Sequence, residues 1–352
     1  MMKRFHFFRL STFLTLLWVV FLGFESLHAQ NPSRLRFAFY NVENFFDFET
    51  DSTRDYNAFT PDGDQHWTLY RFLQKRNNLF KTLVALGQGT APALVGFCEV
   101  ENDRVLQEVI YKTPLKSAGY GIVHYESPDR RGIDVGLIYR KEFLRLVTSQ
   151  PIRVSNPDDS SFLTRDILFA GFETPANDTV FVYINHWPSR YGGQVESMDK
   201  RMLAAKTLRH HYDSLLQALP RAKVIMMGDF NDTPLDPSLI EGLQTKNANS
   251  DFAPTDLLQL FFEGNTLGYE GTLKHGHSWQ IFDQIIVSPQ LYLSDKGTAY
   301  CPNSATIFVA DFLMENDDRN LGKKLNRTYM GPTYIGGYSD HLPVYIDLCF
   351  PK

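Results

Sequence analysis

Short apolar runs dominate the hydrophobic pattern of this chain of 352 residues. Seven of them have the length, and the β-branched or aromatic composition, that is typical of strands in a protein core. They cover residues 35–40, 93–98, 135–139, 179–184, 224–227, 281–287 and 342–348. The last run alternates apolar and polar side chains from Leu342 to Leu348, which is the period-two pattern of a half-buried strand.

Two longer segments repeat their apolar side chains at helical spacing. In the first, residues 68–87, Thr68 is suited to the N-cap and Gly87 to the end of the helix. Its predicted apolar stripe consists of Leu69, Phe72, Leu79, Phe80, Leu83 and Val84. The second segment, residues 197–220, has a stripe made of Met198, Met202, Ala205, Leu208, Tyr212, Leu215 and Leu219.

Strands outnumber helices in this prediction, and several strands follow each other without a helix between them. This order favours an α+β fold, in which helices cover packed sheets, over an alternating parallel fold. The polar segments 47–65 and 316–337 contain Gly or Pro and are predicted to be large surface loops. Because the sequence has no internal repeat and no linker, residues 30–352 are interpreted as a single domain.

The first 29 residues have the pattern of a secretory signal peptide. A leader containing Lys3, Arg4 and Arg9 precedes the apolar run 11–24, and the small residue Ala29 follows. A retained N-terminal anchor is the alternative interpretation. The signal peptide predicts a secreted or periplasmic protein, in which Cys301 and Cys349 have the opportunity to pair. Cys98 lies in an apolar run and is predicted to be a buried thiol.

The charge of the chain limits its partners. The formal net charge is −5, and removal of the leader takes away three cationic side chains and one acidic one, which leaves −7. An acidic protein is not expected to coat nucleic acid with a broad basic surface, although a local phosphate-binding groove remains compatible with this charge.

Polar residues of the types that bind metals or transfer protons flank most of the predicted strands. They are Asn41, Glu43, Glu99, His186, Asp229, Asn231, Asp340 and His341, together with Asp283 inside a strand. Taken singly, most of them fit ordinary turns, such as an Asx turn at Asp229. Asp283 differs, because a carboxylate among apolar neighbours needs a partner when it is buried. Their recurrence at the strand ends predicts a shared acidic pocket.

These residues belong to motifs in a specific order: Asn-x-Glu at 41–43, Glu99, His186, Gly-Asp-Phe-Asn at 228–231, Asp283 and Ser-Asp-His at 339–341. The set resembles the endonuclease/exonuclease/phosphatase superfamily, which includes pancreatic-type deoxyribonucleases, abasic-site endonucleases, inositol-polyphosphate 5-phosphatases and neutral sphingomyelinases. The resemblance extends from about Phe37 to Leu348. It implies a four-layer αββα sandwich, in which two mixed β-sheets face each other and helices cover both outsides.

The resemblance also implies a divalent metal, Mg²⁺ or Mn²⁺, since carboxylate and amide oxygens are the hard ligands that these ions prefer. It assigns direct metal coordination to Glu99. Asn41 and Asp340 are implied to lie at or beside the metal, and Glu43 is a second acidic position that would act through water.

By the same resemblance, Asp229 orients or deprotonates the attacking water, and Asn231 holds the phosphate. His341 binds a non-bridging oxygen and stabilises the pentacovalent state, with Asp283 fixing its tautomer and charge. The adjacency of Asp340 and His341 is then explained, because one turn of the backbone places a group for the metal beside a group for the phosphate.

His186 matches the second histidine of the deoxyribonuclease-like and phosphatase-like branches and is a candidate to protonate the leaving oxygen. Asp134, in the sequence RRGIDVGLIYR, is a candidate carboxylate partner for His186. The alternative is that Asp134 points outward from its strand.

Substrate-binding residues are predicted less specifically. Arg131 and Arg190 are candidates to bind phosphates, and Trp187 to stack on a base, with Tyr191 beside it. Arg201 is a weaker candidate for phosphate binding, because it has Glu196 and Asp199 as potential partners on its own helix.

The favoured function is that of a secreted, metal-dependent endonuclease acting on DNA or RNA. The alternative is a phosphatase or phospholipase-C-type enzyme that acts on phosphoinositides or phospholipid headgroups. In that case the apolar segment 303–316 would touch a membrane, whereas we expect it to cover the core. A non-catalytic binding module is disfavoured, because every matched position retains a competent residue. No segment indicates an obligate protein partner.

Overall fold

The computed structural model describes residues 33–50, 56–262 and 268–351. The predicted signal peptide lies outside these residues. In chain order, the strands are β1 (Arg34–Phe45), β2 (Leu94–Val100), β3 (Tyr120–His124), β4 (Asp134–Arg140), β5 (Arg145–Ile152), β6 (Ile167–Glu173), β7 (Thr179–His186), β8 (Lys223–Asp229), β9 (Thr245–Asn247), β10 (Leu257–Gln259), β11 (Leu273–His275), β12 (Ser278–Gln280), β13 (Asp283–Val287), β14 (Ala299–Tyr300), β15 (Thr306–Ile307), β16 (Met314–Asn316), β17 (Lys323–Leu325), β18 (Tyr329–Met330), β19 (Thr333–Tyr334) and β20 (Val344–Cys349). The α-helices are α1 (Leu69–Leu86), α2 (Asp103–Tyr111), α3 (Met198–Ala218) and α4 (Pro289–Tyr292).

Two sheets form the centre of the fold. In the described residues the first sheet has the order β14-β20-β1-β2-β4-β3, with β15 also paired to β20, and the second has the order β5-β6-β7-β8-β13-β10-β9. Both sheets are mixed, because β1 and β2 pair in parallel, as do β7 and β8, whereas most other pairs are antiparallel. Each of the seven predicted apolar runs overlaps one of these strands.

The two sheets pack face to face over a shared apolar core. Gly96 on β2 shows how closely they approach, since a Cβ added there would lie 2.5 Å from Cδ1 of Ile184 on β7. Helices α1 and α2 cover the outer side of the first sheet, and α3 packs on the second through Ala205, Leu208 and Tyr212. The predicted four-layer α+β sandwich is confirmed.

The two predicted helices are present. Thr68 caps α1, because its hydroxyl accepts a bond from the Arg71 amide at 3.5 Å, and the helix ends at Gly87. The stripe of α1 is partly wrong: Leu69 and Val84 are exposed, and Lys75 is buried instead. Strands β3, β5 and β6 and helix α2 were not predicted from the sequence.

The two predicted long loops differ in structure. Segment 47–65 is irregular in its described residues, whereas segment 316–337 contains parts of two β-hairpins, β16–β17 and β18–β19. Segment 303–316 packs on the core through the buried side chains of Phe308 and Leu313, as expected.

The three cysteines are fully assigned. Cys301 and Cys349 form a disulfide that joins the chain beside β14 to the end of β20, and Cys98 is a free, buried thiol whose pKa is raised by burial. In the part of the chain that the structure describes, no helix combines the length and the apolar character needed to cross a bilayer.

Candidate active site

Most of the predicted polar residues meet at one edge of the sandwich. The register of the second sheet places Asp229, at the end of β8, opposite Asp283 of β13 on one side and opposite His186 of β7 on the other. Asn41 and Glu99 come from the neighbouring strands β1 and β2 of the first sheet. The two sheets therefore contribute side chains to one site.

Asp229 is at the centre of this site. Its Oδ2 accepts a hydrogen bond from Asn41 Nδ2 at 3.0 Å and lies 3.8 Å from Nε2 of both His186 and His341. Its Oδ1 accepts a bond from the Asn231 amide at 2.9 Å. Burial, together with the charge of Asp283, raises the pKa of Asp229 to about 7 although His341 opposes the shift.

His341 is fixed from two directions. Its Nδ1 donates to Asp283 Oδ2 at 2.6 Å, and its amide donates to Ser339 Oγ at 3.1 Å. Ser339 in turn donates to the backbone carbonyl of Asn41 at 2.7 Å, which ties the Ser-Asp-His turn to β1. Burial lowers the pKa of His341, but the charges of Asp283 and Asp229 outweigh it and raise this pKa well above its ordinary value, so the imidazole is a cation at neutral pH.

Strained backbone places the acidic residues of the first sheet. Glu43, Asn44 and Glu99 have φ angles of 49°, 56° and 60°, in the left-handed region that non-glycine residues seldom adopt. The pairing registers of both strands shift at these points. Such irregularities change the direction of side chains relative to the regular alternation of the sheet. Glu99 Oε2 accepts a hydrogen bond from the Asn44 amide at 2.9 Å, and Glu99 Oε1 lies 3.9 Å from His186 Nε2.

Glu43 is buried beneath the site. Its carboxylate accepts bonds from the Thr328 amide at 2.6 Å, the Tyr329 amide at 3.3 Å and Arg327 Nε at 3.2 Å. These partners occupy both oxygens, which agrees with an indirect role for Glu43 at a metal. Burial and the charge of Asp340 raise its pKa to about 7.

Two cations of this region were missed by the sequence analysis. Arg327 joins the acidic residues, since its Nη2 donates to Asp340 Oδ2 at 2.8 Å while its Nε binds Glu43. Lys75 is buried on α1 and donates to Thr328 Oγ1 and to the Tyr338 carbonyl, at 2.5 Å each. Burial lowers the pKa of Lys75 to about 8, and Glu43 opposes the shift. No sequence pattern marks either residue.

His186 differs from His341 in charge. Burial and the nearby Arg165 hold its pKa well below the ordinary value, so its imidazole is neutral at neutral pH. Its Nδ1 is buried and has no hydrogen-bond partner among the described residues. Arg165 fixes the adjacent backbone, donating to the carbonyls of His186 at 3.2 Å and Trp187 at 2.6 Å, and it is itself held by Asp129 at 3.0 Å.

The predicted pairing of Asp134 with His186 is wrong. The carboxylate of Asp134 accepts bonds from the amide and the hydroxyl of Ser127, and its other oxygen lies 3.3 Å from His124 Nε2. The physical reason is the position of Asp134 at the start of β4. Gly136, on the same face of this strand, lies against α2, away from the inter-sheet core.

Two of the predicted substrate-binding residues, Trp187 and Arg190, are structural. Trp187 is 1% exposed and packs against Phe230, so its ring has no free face for a base. Arg190 donates to Asp232 at 2.9 Å and to Asp236 at 2.7 Å, and it also binds the Asn231 carbonyl. An Arg190 guanidinium bound in this way anchors the loop after β8 rather than facing a groove.

The remaining predicted substrate-binding residues are Arg131, Tyr191 and Arg201. The side chain of Arg131 is 41% exposed and lies 3.7 Å from Asp129, and Tyr191 is 95% exposed. Arg201 is fully buried and pairs with Asp232 at 2.7 Å, so its suggested pairing with Glu196 or Asp199 is wrong.

The donor set fits a divalent cation. Glu99, Asn41 and Asp340 supply carboxylate and amide oxygens from three adjoining segments, and these are the ligands that Mg²⁺ and Mn²⁺ prefer. Asp229, Asp283 and His341 form a further cluster of potential ligand atoms in the same pocket.

Comparison with known proteins identifies the family of this chain. The model described as the endonuclease/exonuclease/phosphatase family matches residues 36–349. The chain belongs to this family. Members of the endonuclease/exonuclease/phosphatase family are phosphoesterase hydrolases, and they typically use divalent metals. No curated protein matched the chain.

Solved structures share the fold at low sequence identity. A mannosyl-6-phosphatase from Bacteroides thetaiotaomicron VPI-5482 is 17% identical, with a TM-score of 0.57 and coverage of 90% of this chain and 100% of that one. TDP2 of D. rerio, complexed with a single-strand DNA product, is 16% identical, with a TM-score of 0.52 and coverage of 90% and 99%. ANGEL2, a 2′,3′-cyclic phosphatase, is 14% identical, with a TM-score of 0.57 and coverage of 91% and 96%.

Proposed function

We propose that this protein is a divalent-metal-dependent phosphoesterase that hydrolyses phosphodiester bonds of DNA or RNA. The observation that carries the proposal is the position of Asp229 between two imidazoles, 3.8 Å from His341 Nε2 and 3.8 Å from His186 Nε2. Attack of water on an anionic phosphate requires a proton acceptor, positive charge on the phosphoryl oxygens and a stabilised leaving group. In this arrangement Asp229 is the candidate proton acceptor, and His341 is the candidate source of positive charge.

We assign metal binding to oxygen ligands from the first sheet and from the Ser-Asp-His turn. Glu99, Asn41 and Asp340 would hold Mg²⁺ or Mn²⁺, with Glu43 supporting the site through Arg327. When bound, the ion would neutralise phosphate charge and polarise the phosphoryl group.

The catalytic residues divide the remaining tasks. Asp229 accepts the proton of the attacking water, and Asn231, whose amide binds Asp229, keeps that carboxylate oriented. His341 is a cation held by Asp283 and donates a hydrogen bond to a non-bridging oxygen as negative charge develops there. His186 is neutral in the free protein and acts on the leaving oxygen as a hydrogen-bond donor.

Nucleic acid is the substrate class that we favour. The Arg131 side chain is 41% exposed and its charge acts on His186, and Tyr191, in the loop after β7, is 95% exposed, so a cation and an aromatic ring are candidates to contact phosphates and bases. A similar fold is found in TDP2 complexed with a single-strand DNA product.

A specific observation also supports a phosphoester smaller than nucleic acid as the substrate. Trp187 is buried and Arg190 is bound to Asp232 and Asp236, so two of the side chains predicted to contact nucleic acid are not available. A phosphoinositide, a phospholipid headgroup or a sugar phosphate is therefore the second candidate, and the similar fold of a mannosyl-6-phosphatase supports this class.

We further propose that the protein acts outside the cytoplasm, in a secreted or periplasmic location. The disulfide between Cys301 and Cys349 supports this proposal, because such bonds persist in oxidising compartments. The leader sequence is the other support.

The decisive experiment compares initial rates on plasmid DNA, single-stranded RNA, an inositol polyphosphate, sphingomyelin and mannose 6-phosphate. Each rate is measured with Mg²⁺ or Mn²⁺ and again after EDTA, with His341→Ala as the inactive control. Metal-dependent cleavage of nucleic acid would support the favoured substrate. Turnover restricted to the small phosphoesters would refute it and retain the mechanism. Absence of turnover on all five would favour a binding module on the same scaffold.

A further inference from the structure

A second group of metal-ligating side chains lies outside the candidate active site. His124 ends β3, Glu126 lies in the following loop, and Asp134 begins β4. One potential ligand atom from each lies within 4.8 Å of the other two. His124 pairs across the sheet with Gly136, where an added Cβ would lie 2.9 Å from Leu106 of α2. His124 and Asp134 are therefore on the face of the first sheet that is covered by α2, not in the inter-sheet core.

Two atoms of this group are buried without a hydrogen bond. The side chains of His124 and Asp134 are 6% and 1% exposed, and among the described residues neither Nε2 of the former nor Oδ2 of the latter has a hydrogen-bond partner. The two atoms lie 3.3 Å apart, but their orientation does not give a hydrogen bond. Buried polar atoms without a partner are costly, and a cation bound by these two atoms would satisfy both.

The separation of the two atoms fits zinc. Ligand bonds of about 2.0–2.1 Å at tetrahedral angles put neighbouring ligand atoms about 3.3–3.4 Å apart. The observed distance between His124 Nε2 and Asp134 Oδ2 is 3.3 Å. Imidazole nitrogen combined with carboxylate oxygen is a donor set used by Zn²⁺, and two carboxylates with a neutral imidazole balance its charge.

Hydrogen bonds from Ser127 orient the Asp134 carboxylate. Asp134 Oδ1 accepts bonds from the amide of Ser127, at 2.9 Å, and from its hydroxyl, which leaves Oδ2 directed toward His124. Hydrogen bonds of this kind to the non-coordinating atom are a regular feature of metal sites in proteins. Glu126 is at the surface, and one of its potential ligand atoms lies within 4.8 Å of those of His124 and Asp134.

We propose that His124, Glu126 and Asp134 bind Zn²⁺ through Nε2 and one oxygen of each carboxylate, with water as the fourth ligand, in a structural site. The ion would tie the end of β3 to the start of β4 and so fix the connecting loop, residues 125–133. This loop carries Asp129, which holds Arg165 at 3.0 Å, and Arg165 holds the carbonyls of His186 and Trp187. The site thus supports the active site without touching the substrate.

The test uses the full-length chain with Glu99→Gln, Asp229→Asn and Asp340→Asn, which are expected to weaken metal binding at both ligand clusters of the candidate active site. Zn²⁺ binding is measured by calorimetric titration after chelation and dialysis, and stoichiometry by elemental analysis. We expect one equivalent of Zn²⁺ in this background. Glu126→Gln should weaken its affinity by at least about 10-fold and His124→Gln by more, because loss of outer-sphere partners alone costs about 10–100-fold.

Glu241→Gln is the matched control and should bind Zn²⁺ like the parent, because Glu241 is an exposed carboxylate far in sequence from His124, Glu126 and Asp134. Glu126 is also exposed, so its variant is expected to fold. Zn²⁺ should raise the melting temperature and slow proteolysis within residues 125–133 in the parent and the control, but not in His124→Gln. Failure to bind an equivalent of Zn²⁺, or equal affinity in the Glu126, His124 and control variants, would overturn the proposal.

Discussion

The Nδ1 atom of His341 lies 2.6 Å from Oδ2 of Asp283, and its Nε2 lies 3.8 Å from Asp229. Asp283 is fully buried, and its amide donates to Thr272 Oγ1 at 3.1 Å. The imidazole therefore lies between two carboxylates, with its ring oriented by a fully buried strand residue. This relationship fixes the orientation of the His341 imidazole and raises its pKa.

Asp283→Asn should lower kcat by about 10²–10⁴-fold, because the amide no longer stabilises the imidazolium of His341 or fixes its tautomer. The substitution preserves shape, so we expect KM to change little and the circular dichroism spectrum to be retained. Steady-state kinetics on the best substrate would measure the effect. Asp251→Asn, at an exposed position, is the control. A variant with parental kcat would show that His341 does not depend on Asp283.

Arg131→Ala should raise KM for nucleic acid several-fold and leave the melting temperature unchanged, since the Arg131 side chain is 41% exposed. Arg190→Ala should instead destabilise the protein by about 1–3 kcal/mol, because it removes a partner from the buried Asp232 and from Asp236. Thermal unfolding together with kinetics on DNA separates the two effects. A selective rise of KM in Arg190→Ala, without loss of stability, would contradict the structural role that we assign to it.

The positions of the candidate catalytic residues were predictable because they adjoin strands whose apolar pattern is strong. Asp229 and Asn231 follow a buried run directly, and Asp340 and His341 precede one, so locating the strands also locates the site. The order of motifs then identified the family. The same local information predicted that Asp283, surrounded by apolar neighbours, needs a partner.

The remaining contacts depend on residues that are distant in sequence. Arg327 binds Glu43 across 284 positions, and Lys75 binds Thr328 across 253. Neither sequence periodicity nor a motif predicts such long-range contacts. Trp187 was misjudged for a related reason, because its burial against Phe230 depends on how two loops pack. Asp134 was assigned to the wrong histidine, since the sequence does not reveal that His124 ends the neighbouring strand.

Reduction of the disulfide between Cys301 and Cys349 should lower the free energy of unfolding by about 2–4 kcal/mol, because the bond closes a long loop in the unfolded chain. The two residues are 48 positions apart. Urea unfolding of the parent, with and without reductant, would measure the change, and a Cys301→Ser/Cys349→Ser variant should match the reduced protein. Cys98→Ala serves as the control for the buried thiol. Equal stability of the oxidised and reduced proteins would contradict the prediction.

Asp178 should make stability depend on pH in the acid range. Its carboxylate binds Lys223 Nζ at 2.8 Å, Thr174 Oγ1 at 2.6 Å and the Thr298 amide at 2.8 Å. Burial raises the pKa of Asp178, but these partners together outweigh burial and lower it to about 2, below its ordinary value of 3.8. The folded state therefore binds this proton less readily than the unfolded state. The resulting stabilisation is complete above about pH 4 and is lost as the pH falls through about 2.

Asp178→Asn should remove this contribution. At pH 7 we expect a loss of about 1 kcal/mol in the free energy of unfolding, a value reduced for solvent screening because the side chain is 27% exposed. Between pH 4 and pH 2 the difference between parent and variant should shrink toward zero. Denaturant unfolding at several pH values measures both curves, with the exposed Asp295→Asn as the control. A stability difference that stays constant from pH 7 to pH 2 would show that ionised Asp178 does not stabilise the fold through these contacts.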